Sequence, residues 1–194
     1  MRLPFNYSRE DSVDLARTKE RQYPDEHHVV DQWVKSHLDL SADRNTLNAL
    51  IRLNAAVHAE FRYVRREEMG VQTPTETLRL GSGSCRDFAV FMMEAVRSIG
   101  LAARFVSGYL YDASLIGGAP GLVGGGATHA WLQVYLPGAG WVEFDPTNAL
   151  VGGNNLIRVA VARDAAQAAP LAGEFIGERG DFIARNGSVE VRAQ

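Results

Sequence analysis

Apolar residues recur at helical spacing over Phe88, Phe91, Met92, Ala95, Val96 and Ile99, which predicts a helix with one hydrophobic face. Just ahead of it, Ser84 stands three residues before Asp87, a capping-box pattern that sets the helix start at Cys85. Gly100 closes the helix, as a glycine just past a helix end commonly does. Two later stretches change period. Residues 128–135 and 141–148 alternate apolar and polar positions around the turn Pro137-Gly138-Ala139-Gly140, the signature of a β-hairpin. Pairing Val134 with Val142 and Leu132 with Phe144 makes the apolar faces coincide, whereas a slip of one residue sets Val134 against Glu143. This register puts Tyr135 opposite Trp141, Gln133 opposite Glu143 and Trp131 opposite Asp145. His129 then shares a face with Asp145 one diagonal step away, about 7–8 Å between backbones, within reach of an imidazole–carboxylate hydrogen bond. Pro146 keeps Asp145 extended and ends the strand, so the carboxylate lies at a sheet end.

The remaining pattern is less regular. Residues 1–20 show no clear period and read as a surface arm, with Pro4 extended. Pro24-Asp25-Glu26 reads as a helix start, followed by a face of Val29, Val30, Trp33, Val34, His37 and Leu38. Trp33 is a core anchor in this reading. Adjacent His27 and His28 point to different helix faces and make no metal pair. A second helix is expected from about Asp43 to Phe61, with Leu47, Leu50, Ile51, Asn54, Val57 and Phe61 on its apolar stripe. Residues 61–64 look extended, Arg65-Arg66-Glu67-Glu68 reads as solvated surface, and 75–80 as a short helical turn. Residues 103–111 read as a strand in which Gly108 allows close packing or a bulge. Residues 156–163 form another, on which Arg158 is read as a structural ion-pair partner ahead of a ligand for a substrate carboxylate, and 182–191 a terminal edge strand. The glycine-rich stretch 116–126 runs into the His129 strand, as a surface insertion or a lip over a cleft.

Chemistry enters with Cys85, the only cysteine among 194 residues. In the first turn of a helix it meets unpaired N–H groups and the positive end of the dipole, which favour a thiolate. The bland alternative is a small buried hydrophobe. Gly81 and Gly83 lead into it, but no Gly-Lys-Ser/Thr follows, so close approach explains them better than phosphate binding. A chain of this length, 46% hydrophobic and 22% charged, supports one domain with a substantial core. Its formal charge of −3 argues against a broad nucleic-acid surface. No apolar run reaches the roughly 20 residues of a membrane span, and the secretory-signal order is not seen. A single cysteine forms no internal disulfide, so the expected compartment is the cytoplasm.

The ordered set Gly83-x-Cys85-x-Asp87, Arg104-Phe105-Val106-Ser107-Gly108-Tyr109, His129-Ala130-Trp131 and Trp141-x-x-Phe144-Asp145-Pro146-Thr147-Asn148 resembles the transglutaminase-like superfamily. The similarity is closest to its bacterial candidate cysteine proteases and covers about Asn45 to Asp164. It implies an α+β fold with a papain-like core, the nucleophile helix packed on an antiparallel sheet. The chain divides on this basis into an N-terminal arm, 1–22, and a transglutaminase-like catalytic domain, 23–194. By resemblance Cys85 matches the nucleophile, His129 the base and Asp145 the orienting acid. Relatives of this kind often carry a further β-rich region ahead of the core.

The implied chemistry is acyl transfer through sulfur on a protein or peptide substrate, with no metal or organic cofactor required. Water as acceptor makes a protease, isopeptidase or amidase; a lysine amine makes a transglutaminase. A non-catalytic interaction module on the same fold and a zinc site using the three residues are the other readings. The Cys85 N–H is one expected oxyanion donor. Tyr63 and Gln72 lie upstream as unassigned candidates for the second.

Overall fold

The computed structural model describes residues 1–66, 68–112, 122–123, 125, 127–170, 176–178 and 180. Along it run α1 (Arg9–Asp14), α2 (Ala16–Lys19), α3 (Val29–His37), α4 (Thr46–Glu60), β1 (Arg62–Tyr63), α5 (Pro74–Leu80), β2 (Ser82–Gly83) and α6 (Cys85–Ser98). The sheet strands follow: β3 (Ala103–Leu110), β4 (Thr128–Leu136), β5 (Gly140–Asp145), β6 (Leu150–Val151) and β7 (Leu156–Ala162), then a 3-10 turn at Ala165–Ala168. Strands β6-β5-β4-β3-β7 lie side by side, every neighbouring pair antiparallel. The expected α+β arrangement is thus present, with α6 packed on β3 and β4.

Helix α6 begins at Cys85 because Asp87, itself fully buried, accepts the Ser84 N–H and hydroxyl, both at 2.8 Å. Its end is a Schellman motif: Gly100, at φ 83°, donates to Arg97 O and Leu101 donates to Val96 O. Between these caps nearly every side chain is buried, polar Glu94 and Arg97 included. The sheet covers one side of the helix and α3, α4 and α5 the other.

The hairpin adopts the register expected from its apolar faces, with Leu132 opposite Phe144 and Val134 opposite Val142. In β3, Gly108 pairs with His129 across β4 and stands at a bulge against β7. A Cβ on Gly108 would press into the Ile157 carbonyl and lie 2.8 Å from Trp131 Cη2. We therefore expect Gly108→Ala to destabilise the protein by about 1–3 kcal/mol, read as a lower urea midpoint, since backbone and a packed indole must give way.

Three elements differ from expectation. Helix α3 starts at Val29, not at Pro24, because the Asp25 carboxylate accepts the N–H groups of Val29 and Val30 and leaves 24–28 as a lead-in. In α4, Leu47 and Ile51 are exposed, at 42% and 41%, while Ala49 and Leu53 are buried. The helix is turned so that Asn54 Nδ2 reaches Leu150 O and His58 meets Thr147 O. The segment read as an aperiodic arm carries α1 and α2 and buries Leu3, Tyr7 and Leu15. Its order comes from long-range contacts: the Tyr7 hydroxyl donates to Tyr135 O and accepts from Ala102 N. Trp33 is a core residue whose indole N–H donates to Glu60, and Arg158 pairs with Glu143 at 3.5 Å. The terminal strand expected at 182–191 and most of the glycine-rich stretch lie outside the described residues.

Candidate active site

The end of the sheet nearest the α6 N-terminus gathers the three residues singled out in the sequence. Cys85 is buried at the first position of α6. His129 and Asp145 lie on adjacent strands β4 and β5, and His129 Nε2 donates to Asp145 Oδ2 at 2.8 Å with both side chains out of solvent. That bond leaves Nδ1 to face the cysteine. Cys85 is within interaction range of the imidazole, although Nδ1 makes no hydrogen bond of regular geometry. The imidazole is therefore bonded to the carboxylate and has the cysteine as its other neighbour.

Burial acts against charge on His129. The hydrogen bond to Asp145 and the neighbouring Cys85 and Asp145 groups outweigh it and raise the imidazole pKa to about 9. Asp145 is held as an acceptor on both oxygens: Oδ1 takes the Thr147 N–H at 2.9 Å, and Oδ2 takes Asn148 Nδ2 at 2.8 Å beside His129. The turn bearing Thr147 and Asn148 is tied to α4 through His58 and Asn54. Behind His129 the Trp131 ring lies nearly parallel, centroids 6.0 Å apart.

The approach to Cys85 is built by the loop between β1 and α5. Strand β1 pairs in parallel with β2, so that Tyr63 stands beside Gly83, two residues from the sulfur. Its ring meets Phe88 edge-on and is 37% exposed. Burial, and then the neighbouring Cys85, raise the Tyr63 pKa. Asp87 clamps this loop as well as the helix cap, accepting Arg66 Nη1 at 2.8 Å and the Gln72 N–H at 2.7 Å. The Gln72 side chain is engaged by the Thr77 hydroxyl. A β-carbon on Gly83 would collide with Asp87 Cβ at 2.8 Å and crowd Gln72 Oε1 at 3.1 Å, so close approach explains this glycine.

Among the described residues no three His, Cys, Asp or Glu side chains are grouped to hold a metal. Among the same residues no helix is long and apolar enough to cross a membrane. Arg66, expected within a solvated charge run, is instead drawn in at 17% exposure because the fully buried Asp87 carboxylate takes it as a cationic partner, while Asn148 and His58 had no expected role of their own. Only Asn148 had a signal, its place in the Asp145-Pro146-Thr147-Asn148 run.

A cysteine at the start of a helix, packed on an antiparallel sheet whose adjacent strands carry a bonded His–Asp pair, defines an α+β protein of the papain-like class. The chain belongs to the transglutaminase-like superfamily, whose family model matches residues 32–146. It is 39% identical over 98 residues to an uncharacterised protein of Mycobacterium leprae, covering 49% of this chain and 33% of that one. It is 34% identical over 135 residues to an uncharacterised protein of Mycobacterium tuberculosis, covering 67% and 42%. The matched part is thus less than half of either relative's length. A crystal structure of a candidate cysteine protease from Cytophaga hutchinsonii shares the fold, with TM-score 0.61 and 24% identity over 80% of this chain and 49% of that one.

Proposed function

We propose that this chain is a thiol-dependent acyl-transfer enzyme that cleaves peptide, isopeptide or side-chain amide bonds in protein substrates. The observation that supports this reading is the placement of the His129 imidazole between the Asp145 carboxylate and Cys85 at a helix start. Cys85 Sγ attacks the amide carbonyl, and the resulting oxyanion is met by the Cys85 N–H, one of the first-turn groups without a helical partner. His129, charged in the resting pair, gives its proton to the leaving amine as the C–N bond breaks and a thioester forms. Neutral His129 then takes a proton from water, whose oxygen attacks the thioester; the acid departs and the thiolate returns. Asp145 holds the imidazole with Nε2 protonated, so that Nδ1 carries the proton in transit.

The test is a labelled protein substrate incubated with and without a primary amine, followed by mass spectrometry. Products gaining water support hydrolysis. Products gaining the amine with no hydrolysis assign the same site to a transglutaminase, and no covalent turnover with intact protein returns it to an interaction module.

A pH dependence follows from His129. Its pKa is raised from 6.5 to about 9, so the stability its charge contributes is complete below about pH 6.5 and is lost as pH rises through about 9. Urea unfolding between pH 6 and 10 is expected to show this loss in the wild type and not in His129→Asn.

A further inference from the structure

Asn148 carries a set of contacts that the proposed reaction does not itself require. Its side-chain amide meets the backbone of Val123 at both ends: Oδ1 accepts the Val123 N–H at 2.9 Å and Nδ2 donates to Val123 O at 3.0 Å. The same Nδ2 donates its other hydrogen to Asp145 Oδ2 at 2.8 Å. Only one orientation of the amide satisfies this arrangement. Rotated by half a turn, its oxygen would face a carboxylate and a carbonyl, and its NH2 would face an N–H. Val123 thus selects the orientation in which Asn148 points a donor at the acid. Val123 is itself anchored next door, where the Leu122 N–H donates to Asp112 and the Leu122 side chain packs against the cluster of Val106, Leu110, Trp131 and Leu156.

We infer that Asn148 is a positioning residue for the Asp145–His129 pair, held in that role by the Val123 backbone. The inference rests on the proposed reading of the site. A buried carboxylate is stabilised in its ionised form by each donor it accepts. Asp145 has three such donors, and two of them, His129 and Asn148, share Oδ2. Removing Asn148 leaves Oδ2 with His129 alone, so the carboxylate is free to turn about its bond to Thr147 N and away from the imidazole. A carboxylate turned away no longer orients the imidazole or supports its charge beside Cys85. The backbone of the turn does not depend on Asn148, because Asn54 and His58 hold Leu150 O and Thr147 O from α4.

The experiment compares wild type, Asn148→Ala and Asn148→Leu, the last filling the volume of asparagine without its donors. Two quantities are read: the far-downfield proton resonance of His129 Nε2–H, identified by its absence in His129→Ala, and the rate of Cys85 alkylation by iodoacetamide at pH 6.5. Both Asn148 variants are expected to keep a cooperative unfolding transition, to shift or lose the resonance, and to alkylate about tenfold more slowly, the loss of one hydrogen bond to a charged group. Retention of the resonance and rate by Asn148→Leu overturns the inference, since the residue then only fills space. A wild type that alkylates no faster than His129→Ala overturns the catalytic reading instead, while the resonance in the Asn148 variants still decides the positioning role.

Discussion

His129→Ala is expected to lower amide turnover by on the order of 10⁶-fold and Asp145→Asn by on the order of 10⁴-fold, the sizes found when members of such a relay are removed. The difference between the two follows from their contacts. In the proposed reaction His129 is the group that takes a proton at the sulfur and returns one to the leaving amine. Asp145→Asn keeps the shape but cannot accept from Thr147 N, His129 Nε2 and Asn148 Nδ2 together. Whichever way its amide turns, an NH2 faces at least one donor, and the neutral side chain no longer favours the imidazolium. Single-turnover kinetics with a labelled protein substrate checks both values. Iodoacetamide labelling of Cys85 provides a second readout independent of the substrate: both variants should lose the fast alkylation below the ordinary thiol range near pH 8.5. Equal turnover in wild type and His129→Ala would remove the relay from the mechanism.

The largest expected effect on stability lies away from the site. Glu94 and Arg97 face each other within α6 at 2.8 Å with both side chains fully buried. Glu94 also accepts the Gln22 N–H at 3.1 Å, and Arg97 donates to the carbonyls of Thr18, Ala103 and Arg163. The pair therefore staples the N-terminal segment and the strand after the helix to the central element. Glu94→Ala leaves an unpaired guanidinium in the core, and breaking a buried pair in this way costs about 3–5 kcal/mol. For a chain of this size that corresponds to a drop of roughly 10 °C in Tm. The double variant Glu94→Ala/Arg97→Met, which buries no charge, should recover part of the loss, with three carbonyls left to find water or other donors. Thermal unfolding of Glu94→Ala, Arg97→Met and the double variant, each against wild type, measures the coupling. A single variant within 1 °C of wild type would show that solvent reaches Arg97.

The same contacts explain why the N-terminal segment was illegible. Its three buried anchors, Leu3, Tyr7 and Leu15, fall at no regular period, and what orders it comes from residues 41 to 128 positions away, at Arg44, Glu94, Ala102 and Tyr135. Helix α4 departs from its apolar pattern for a related reason. Leu47 and Ile51 continue an apolar stripe in the sequence, but Asn54 and His58 must face the turn after β5, and their hydrogen bonds turn Leu47 and Ile51 outward. Hydrophobic periodicity counts methyl groups and does not register a polar contact to a backbone far along the chain.

Where the decisive interactions are local, the chain determined its structure directly. The start of α6 depends on residues 84 to 87, its end on Gly100, and the hairpin register on two apolar faces joined by a short turn. Those elements carry Cys85, His129 and Asp145, and for that reason the candidate site could be read from the sequence. Tertiary structure alone decided what surrounds them: the Asp87 clamp on Arg66 and Gln72, the α4 contacts beneath the 147–150 turn, and the Val123–Asn148–Asp145 connection. Each joins groups distant in sequence whose meeting depends on how helices and sheet pack. A side-chain amide has no preferred partner until that packing brings one within 3 Å.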